Sequence, residues 1–163
     1  MPQPDPPTTD PRPYRENVLG VFVNPQGLVL AVERAHHPGA WQLPQGGVDD
    51  HEDRDQAVVR EMCEELGLQP SDITIVHRFE QHFVYDFPLG MDAPIARSWR
   101  GQRQTAYLLA LAPDAQPDLR RADGEVRDWR WMDLDDLARG ITHFKQPVYQ
   151  QLLPLFHQWL AQR

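Results

Sequence analysis

The stretch from Gly46 to Leu68, Gly-Gly-Val-Asp-Asp-His-Glu-Asp-Arg-Asp-Gln-Ala-Val-Val-Arg-Glu-Met-Cys-Glu-Glu-Leu-Gly-Leu, constrains this chain more than any other. Asp53 or the acids before it can cap a helix, and Gly67 stands where a left-handed C-cap residue belongs. The spacing therefore predicts a helix over 54–66. At 100° per residue, Val59, Met62, Cys63 and Leu66 form one stripe, and Glu61, Glu64 and Glu65 form the opposite one. Glu61 repels Glu64 and Glu65 at i,i+3 and i,i+4, each pair costing about 0.2–0.5 kcal/mol on an isolated helix. A hard divalent cation would offset this, because Mg²⁺ and Mn²⁺ prefer carboxylate oxygens and water. A solvated acidic face that tolerates the repulsion is the plainer reading, and the helix alone does not choose between them.

The rest of the chain suits a single α/β domain of 163 residues. Strands are expected at 17–24, 28–33, 73–79, 83–87, 104–111 and 127–132. Residues 41–48 read as a bent strand or loop, with a turn at Gly46-Gly47. A short helix follows Asp133 to Arg139. A final one runs from Pro147 to Gln162, with Val148, Leu152, Leu155, Phe156 and Trp159 at helical spacing and a bend expected at Pro154. Residues 1–13 hold six prolines and no Leu, Ile or Val. They are read as a disordered, Pro-rich tail ahead of a domain over 14–163, a proline-recognising partner being the functional alternative.

Sixteen Lys and Arg against 24 Asp and Glu give a net charge of -8, the opposite of a basic stripe for duplex DNA. No apolar run approaches the roughly 18 residues a membrane helix needs. The single Cys63 closes no intramolecular disulfide, so a soluble, cytoplasmic protein is expected. Eight acids and two arginines within residues 49–65 leave a local balance of -6 and only -2 elsewhere. The acidity is thus concentrated at one site, and the remaining body is nearly neutral.

The order Gly46, five residues, Glu52, seven residues, Arg60-Glu61-Met62-Cys63-Glu64-Glu65-Leu66-Gly67-Leu68 matches every fixed position of the Nudix box. The chain therefore resembles the Nudix hydrolase superfamily. Tyr14-Arg15, Asn17-Val18, Trp41 to Gly47, Gly101-Gln102 with Gln104, Trp129-Arg130-Trp131, Phe144-Lys145 and Val148-Tyr149 are similar to the branch of RNA 5′-pyrophosphohydrolases and diadenosine tetraphosphate hydrolases. The resemblance implies an α/β/α sandwich with a mixed central sheet and a catalytic loop-helix-loop. It implies two to three Mg²⁺ or Mn²⁺ ions held by Glu61, Glu64, Glu65, the Gly46 carbonyl and Glu125, the last also a candidate general base. Glu52 and Arg60 would pair as scaffold. Lys145, Arg15 and Arg34 would meet phosphates, and Tyr85 and Phe144 would flank a base.

Glu16, Leu43 and the stretch 86–92 depart from that branch, and the last lacks the basic residues of RNA-cleaving members. The expected activity is metal-dependent hydrolysis of phosphoanhydrides in small nucleotides, with dinucleoside polyphosphates such as diadenosine tetraphosphate favoured and free (d)NTPs also taken. Removal of pyrophosphate from the 5′ end of RNA is the alternative enzyme. A nucleotide-sensing module without catalysis is the alternative of another class. His36, His37 and His143 read as ordinary polar residues, Cys63 as a buried small hydrophobe, and Trp129 and Trp131 as core.

Overall fold

The structure, a computed structural model, describes residues 10–163. Strand β1 (Tyr14–Phe22) lies at the centre of a four-stranded sheet in the order β4 (Gln45–Gly47), β1, β6 (Gly101–Leu111), β5 (Ile73–Asp86). β1 runs parallel to β6 and antiparallel to β4, and β5 is antiparallel to β6, so the sheet is mixed. A second, antiparallel sheet has the order β3 (Trp41–Gln42), β2 (Val29–Arg34), β7 (Val126–Met132). The bridge between Val23 and Val29 links the two.

Period-two alternation along β1 feeds two cores. Val18 and Phe22 pack with Val58, Met62 and Leu66 of helix α1 (Arg54–Leu66), while Leu19, Val21 and Val23 pack with Val148, Leu152 and Phe156 of helix α4 (Gln146–Ala161). β2 divides likewise, with Leu30 and Val32 toward α1 and Val29 and Ala31 toward α4. Two short helices, α2 (Ile95–Ser98) and α3 (Leu134–Gly140), complete the α/β/α sandwich. Phe22 and Tyr107 have no exposed surface, and each such side chain contributes about 1.5–3 kcal/mol on burial.

Helix α1 has the expected ends. Asp53 accepts from the N–H groups of Asp55 and Gln56, and Gly67 takes φ 67° with its N–H on the Cys63 carbonyl. Its buried stripe differs from the expected one, because the helix lies on β1 by Ala57, Val58, Met62 and Leu66. Val59 and Cys63 are half-buried, so Cys63 is not a core residue, and Glu65 is turned to the buried side. Trp129 and Trp131, edge-to-face at 6.4 Å, are also only half-buried and flank the α1 core.

Gly46-Gly47 forms no turn. Both residues pair with β1 as part of β4, and the chain crosses between sheets one step earlier, at Leu43-Pro44. The two strands expected over 73–87 are one strand with register shifts near Val76 and between Arg78 and His82. Glu16 ties α1 to the sheet through Arg54 (3.1 Å) and Arg103. Of the expected tail, residues 1–9 lie outside the described residues. The Arg12 guanidinium donates to the Ala96 carbonyl, and the Pro13 carbonyl accepts from Arg100 N–H at 3.0 Å. Helix α4 continues through the exposed Pro154.

Candidate active site

The α4 face of the mixed sheet changes character along its strands. Paired positions on β1 and β6 run from Leu19–Ala106 to Asn17–Gln104 and then Arg15–Gln102, with Phe83 and Tyr85 of β5 continuing the last two rows. The apolar core thus gives way to a polar floor. Gln104 Nε2 donates to Asn17 Oδ1 and to Gln45 Oε1, both at 2.9 Å, and Gln102 Nε2 donates to the Tyr85 hydroxyl at 2.8 Å. Gln102 Oε1 is buried and has no partner among the described residues, which is costly unless a ligand or water donates to it.

A cleft of about 400 Å³ opens over this floor. Its charged lining consists of Arg15, Arg34, Glu61, Glu65, Glu125 and Lys145, and its apolar lining of Tyr85, Phe87, Met91, Ile95 and Phe144. Gly46 and Gly47 form part of the rim. All five residues expected to bind substrate therefore meet in one place, together with three of the four expected catalytic glutamates. Glu64 is the exception: its side chain lies on the outer face of α1, against Arg60.

The edge strand β4 explains how helix glutamates reach a cleft on the opposite face of the sheet. A Cβ added at Gly46 would lie 2.0 Å from the Glu61 carboxylate, and one at Gly47 would lie 2.1 Å from the Arg15 guanidinium. Successive strand positions face opposite sides. The glycine pair thus leaves room for an anion on one face and a cation on the other. Glu65, 3% exposed, accepts from Gln45 N–H at 3.3 Å.

Arg60 holds the loop before the helix. Its Nε and Nη2 donate to Glu52 at 2.7 and 2.8 Å, and Nη2 also reaches the Gly47 carbonyl at 2.9 Å. Glu52 in turn accepts from Asp49 N–H at 3.0 Å, closing a loop in which His51 adopts a left-handed φ of 64°. This scaffold keeps a conformation that a non-glycine residue disfavours. Arg60 Nη1 bridges Glu61 (2.9 Å) and Glu64 (3.1 Å). Glu125 is carried on a loop tied to α1 by Asp123 N–H on the Glu64 carbonyl (2.8 Å) and to β2 by Ala35 N–H on the Glu125 carbonyl (2.9 Å).

The electrostatics divide these carboxylates. The Arg60 guanidinium holds Glu52 down at about 2. Burial pushes Glu65 well above the usual carboxylate range, with Glu125, Asp123 and Glu61 adding repulsion and the Gln45 N–H opposing it. Burial also raises Glu61 and Glu125. Lys145, 7% exposed and donating to Gln42 Oε1 at 2.8 Å, is lowered to about 8 by burial and by Arg34.

A Nudix domain model matches residues 13–152, most of the chain. The chain belongs to the Nudix hydrolase family. It is 33% identical over 159 residues to Nudix hydrolase 25 of Arabidopsis thaliana, covering 92% of this chain and 90% of that protein. It is 35% identical over 153 residues to an RNA pyrophosphohydrolase of Sphingopyxis alaskensis, covering 90% and 95% respectively. The crystal structure of a C. elegans Ap4A hydrolase binary complex shares the fold at a TM-score of 0.65 and 20% identity, covering 91% of this chain and 99% of that one.

Nudix hydrolases use divalent cations, and the donor set here suits one. Glu61, Glu65 and Glu125 are oxygen donors raised by burial and by neighbouring carboxylates, a strain that a hard cation relieves. As the side chains stand, no three His, Cys, Asp or Glu groups among the described residues converge on one point. Arg60 Nη1, shared by Glu61 and Glu64, supplies the positive charge between those two instead.

Two features of the cleft go beyond the sequence expectations. His36 and His37 line it, brought there by the tight turn that joins β2 to β3. The amides of Asn17, Gln42, Gln45 and Gln102 line it too. The signal for Asn17 and Gln102 is polar residues at period two in strands that are otherwise apolar, 15 and 17 in β1 and 102 and 104 in β6.

Proposed function

We propose that this Nudix hydrolase cleaves phosphoanhydride bonds of small nucleoside polyphosphates in the cytoplasm, with dinucleoside polyphosphates such as diadenosine tetraphosphate as preferred substrates. The observation that carries this reading is the single cleft in which Arg15, Arg34 and Lys145 face Glu61, Glu65 and Glu125, with an apolar wall beside them. Cations there bind and orient the phosphate chain, and the aromatic residues Tyr85 and Phe144 flank a base. Glu61, Glu64, Glu65, Glu125 and the Gly46 carbonyl would hold the Mg²⁺ or Mn²⁺ ions. When bound, such ions neutralise phosphate oxygens and acidify water. In the reaction a water oxygen bonds to phosphorus as the bridging P–O bond breaks. Glu125, which lines the cleft, takes the water's proton and the shortened nucleotide leaves.

The segment 86–92 beside the cleft supports a small substrate over a polymer, because it holds Asp86 and Asp92 and no Lys or Arg. Phosphates beyond the first nucleotide would meet two carboxylates in that stretch before the next cation along the chain, Arg97. Removal of pyrophosphate from RNA 5′ ends is the second reading, favoured by the 35% identity to a protein named RNA pyrophosphohydrolase. The two separate when diadenosine tetraphosphate, free triphosphates and 5′-triphosphate RNA are compared under Mg²⁺ and under Mn²⁺. The expected result is the highest kcat/KM for the dinucleotide. A kcat/KM far higher on RNA would replace this reading with the second.

A further inference from the structure

The apolar half of the cleft comes mostly from one loop that neither the box nor the catalytic carboxylates involve. Residues 87–99 leave β5 and return to β6 through α2, with the loop's ends joined by Phe87 N–H on the Arg100 carbonyl at 2.8 Å. Phe87, Met91 and Ile95 point from it into the cleft. Phe87 is buried edge-on against Tyr85 (5.9 Å), whereas Met91 and Ile95 are half-buried, packing on the α4 core while also lining the cleft. Tyr85 joins this wall to Phe144 (5.8 Å), and Lys145 Nζ lies 5.8 and 5.9 Å from the Tyr85 and Phe144 rings. Lys145 therefore marks the border between the charged and apolar halves.

The loop does not stand alone. Asp86, at its base, accepts from the Tyr14 hydroxyl at 2.5 Å and from Arg100 Nη2 at 3.0 Å, and the Arg100 guanidinium covers the Tyr14 ring at 4.8 Å. Arg12 holds the Ala96 carbonyl in α2, and Pro13 holds Arg100 N–H. The segment entering β1 thus straps the loop from outside.

Apolar side chains that line the cleft beside Arg15, Arg34 and Lys145 suit a ligand with an apolar face joined to phosphates, and the heterocycle of a nucleotide is such a group. We infer that Met91 and Ile95 seat a base of the substrate, and that Tyr14, through Asp86, is a positioning residue that fixes this seat. The inference rests on the reading of the substrate as a nucleoside polyphosphate.

Equilibrium binding by calorimetry tests it apart from turnover, using a methylene-bridged analogue of diadenosine tetraphosphate and inorganic tripolyphosphate as probes. In Met91→Ser, affinity for the analogue should fall about ten-fold, the scale of removing one apolar side chain from the contact with the base, while tripolyphosphate changes less than two-fold. Met91→Leu should restore the analogue. Tyr14→Phe should weaken the analogue about three-fold with tripolyphosphate unchanged, a split that general loss of structure would not produce. Equal losses for both probes, or none for either, would overturn the inference. A wild-type protein that binds the analogue no better than tripolyphosphate would overturn it too, even with hydrolysis intact. Base-dependent binding without hydrolysis would instead remove the proposed reaction and leave the seat standing.

Discussion

The Glu61 carboxylate packs directly on the α-carbon of Gly46, so closely that a Cβ there would lie 2.0 Å from it. The clash is with the end of a flexible side chain, so Gly46→Ala should fold normally and displace Glu61. A misplacement of this size costs about 10²-fold in rate. We expect a far-ultraviolet spectrum and melting temperature close to wild type with kcat lowered by that order. Retained kcat would mean that Glu61 need not sit against β4.

Glu64 offers the complementary case. It is half-exposed, and its bond to Arg60 is a surface pair worth about 0–1 kcal/mol, so Glu64→Gln should barely change stability. Turnover should nevertheless fall by orders of magnitude if Glu64 is part of the metal-holding set. Wild-type-like turnover in this variant would remove Glu64 from it.

The bidentate pair of Glu52 and Arg60 predicts an acid-sensitive contribution. With the folded pKa at about 2 and the ordinary value at 4.5, its stabilisation is complete above pH 4.5 and is lost as pH falls toward 2. Glu52→Gln should cost about 1.5–3 kcal/mol near neutrality, the scale of charge-assisted hydrogen bonds. The gap between wild type and variant in denaturant melts should narrow between pH 4.5 and 2. A gap independent of pH would mean that the pair holds the loop by packing rather than by charge.

Lys145 predicts an alkaline limb. Lowered to about 8 from the usual 10.5, it is a cation below pH 8 and loses its charge above, before substrate binds. The profile of kcat/KM should therefore fall above about pH 8, and Lys145→Gln should be lower below pH 8, lack that limb and meet the wild-type profile at alkaline pH. A limb that persists in the variant belongs to another group.

The sequence made α1 legible because both of its ends are set by local chemistry, the Asp53 cap and the left-handed Gly67. The scaffold role of Glu52 and Arg60, and the meeting of Arg15, Arg34, Tyr85, Phe144 and Lys145, came from the family resemblance, since residues 130 positions apart share no local signal. Gly46-Gly47 misled: adjacent glycines suggest a turn, but here they are strand positions emptied by Glu61 and Arg15 from elsewhere in the chain. The buried side of α1 was displaced for a related reason. The carboxyl of Glu65 is drawn inward to the Gln45 N–H, which no helical wheel registers. Helix α2 and the two histidines at the cleft depend on loop closure and leave no periodic pattern.

The most direct measurement is hydrolysis of diadenosine tetraphosphate by the wild-type protein before chelation of divalent cations, after it, and after Mg²⁺ or Mn²⁺ is restored. A metal-dependent phosphoanhydride hydrolase loses turnover on chelation, recovers it with either ion, and releases shorter adenine nucleotides. Turnover that survives chelation unchanged, or no turnover of any nucleoside polyphosphate with metal present, would contradict the assignment of this cleft.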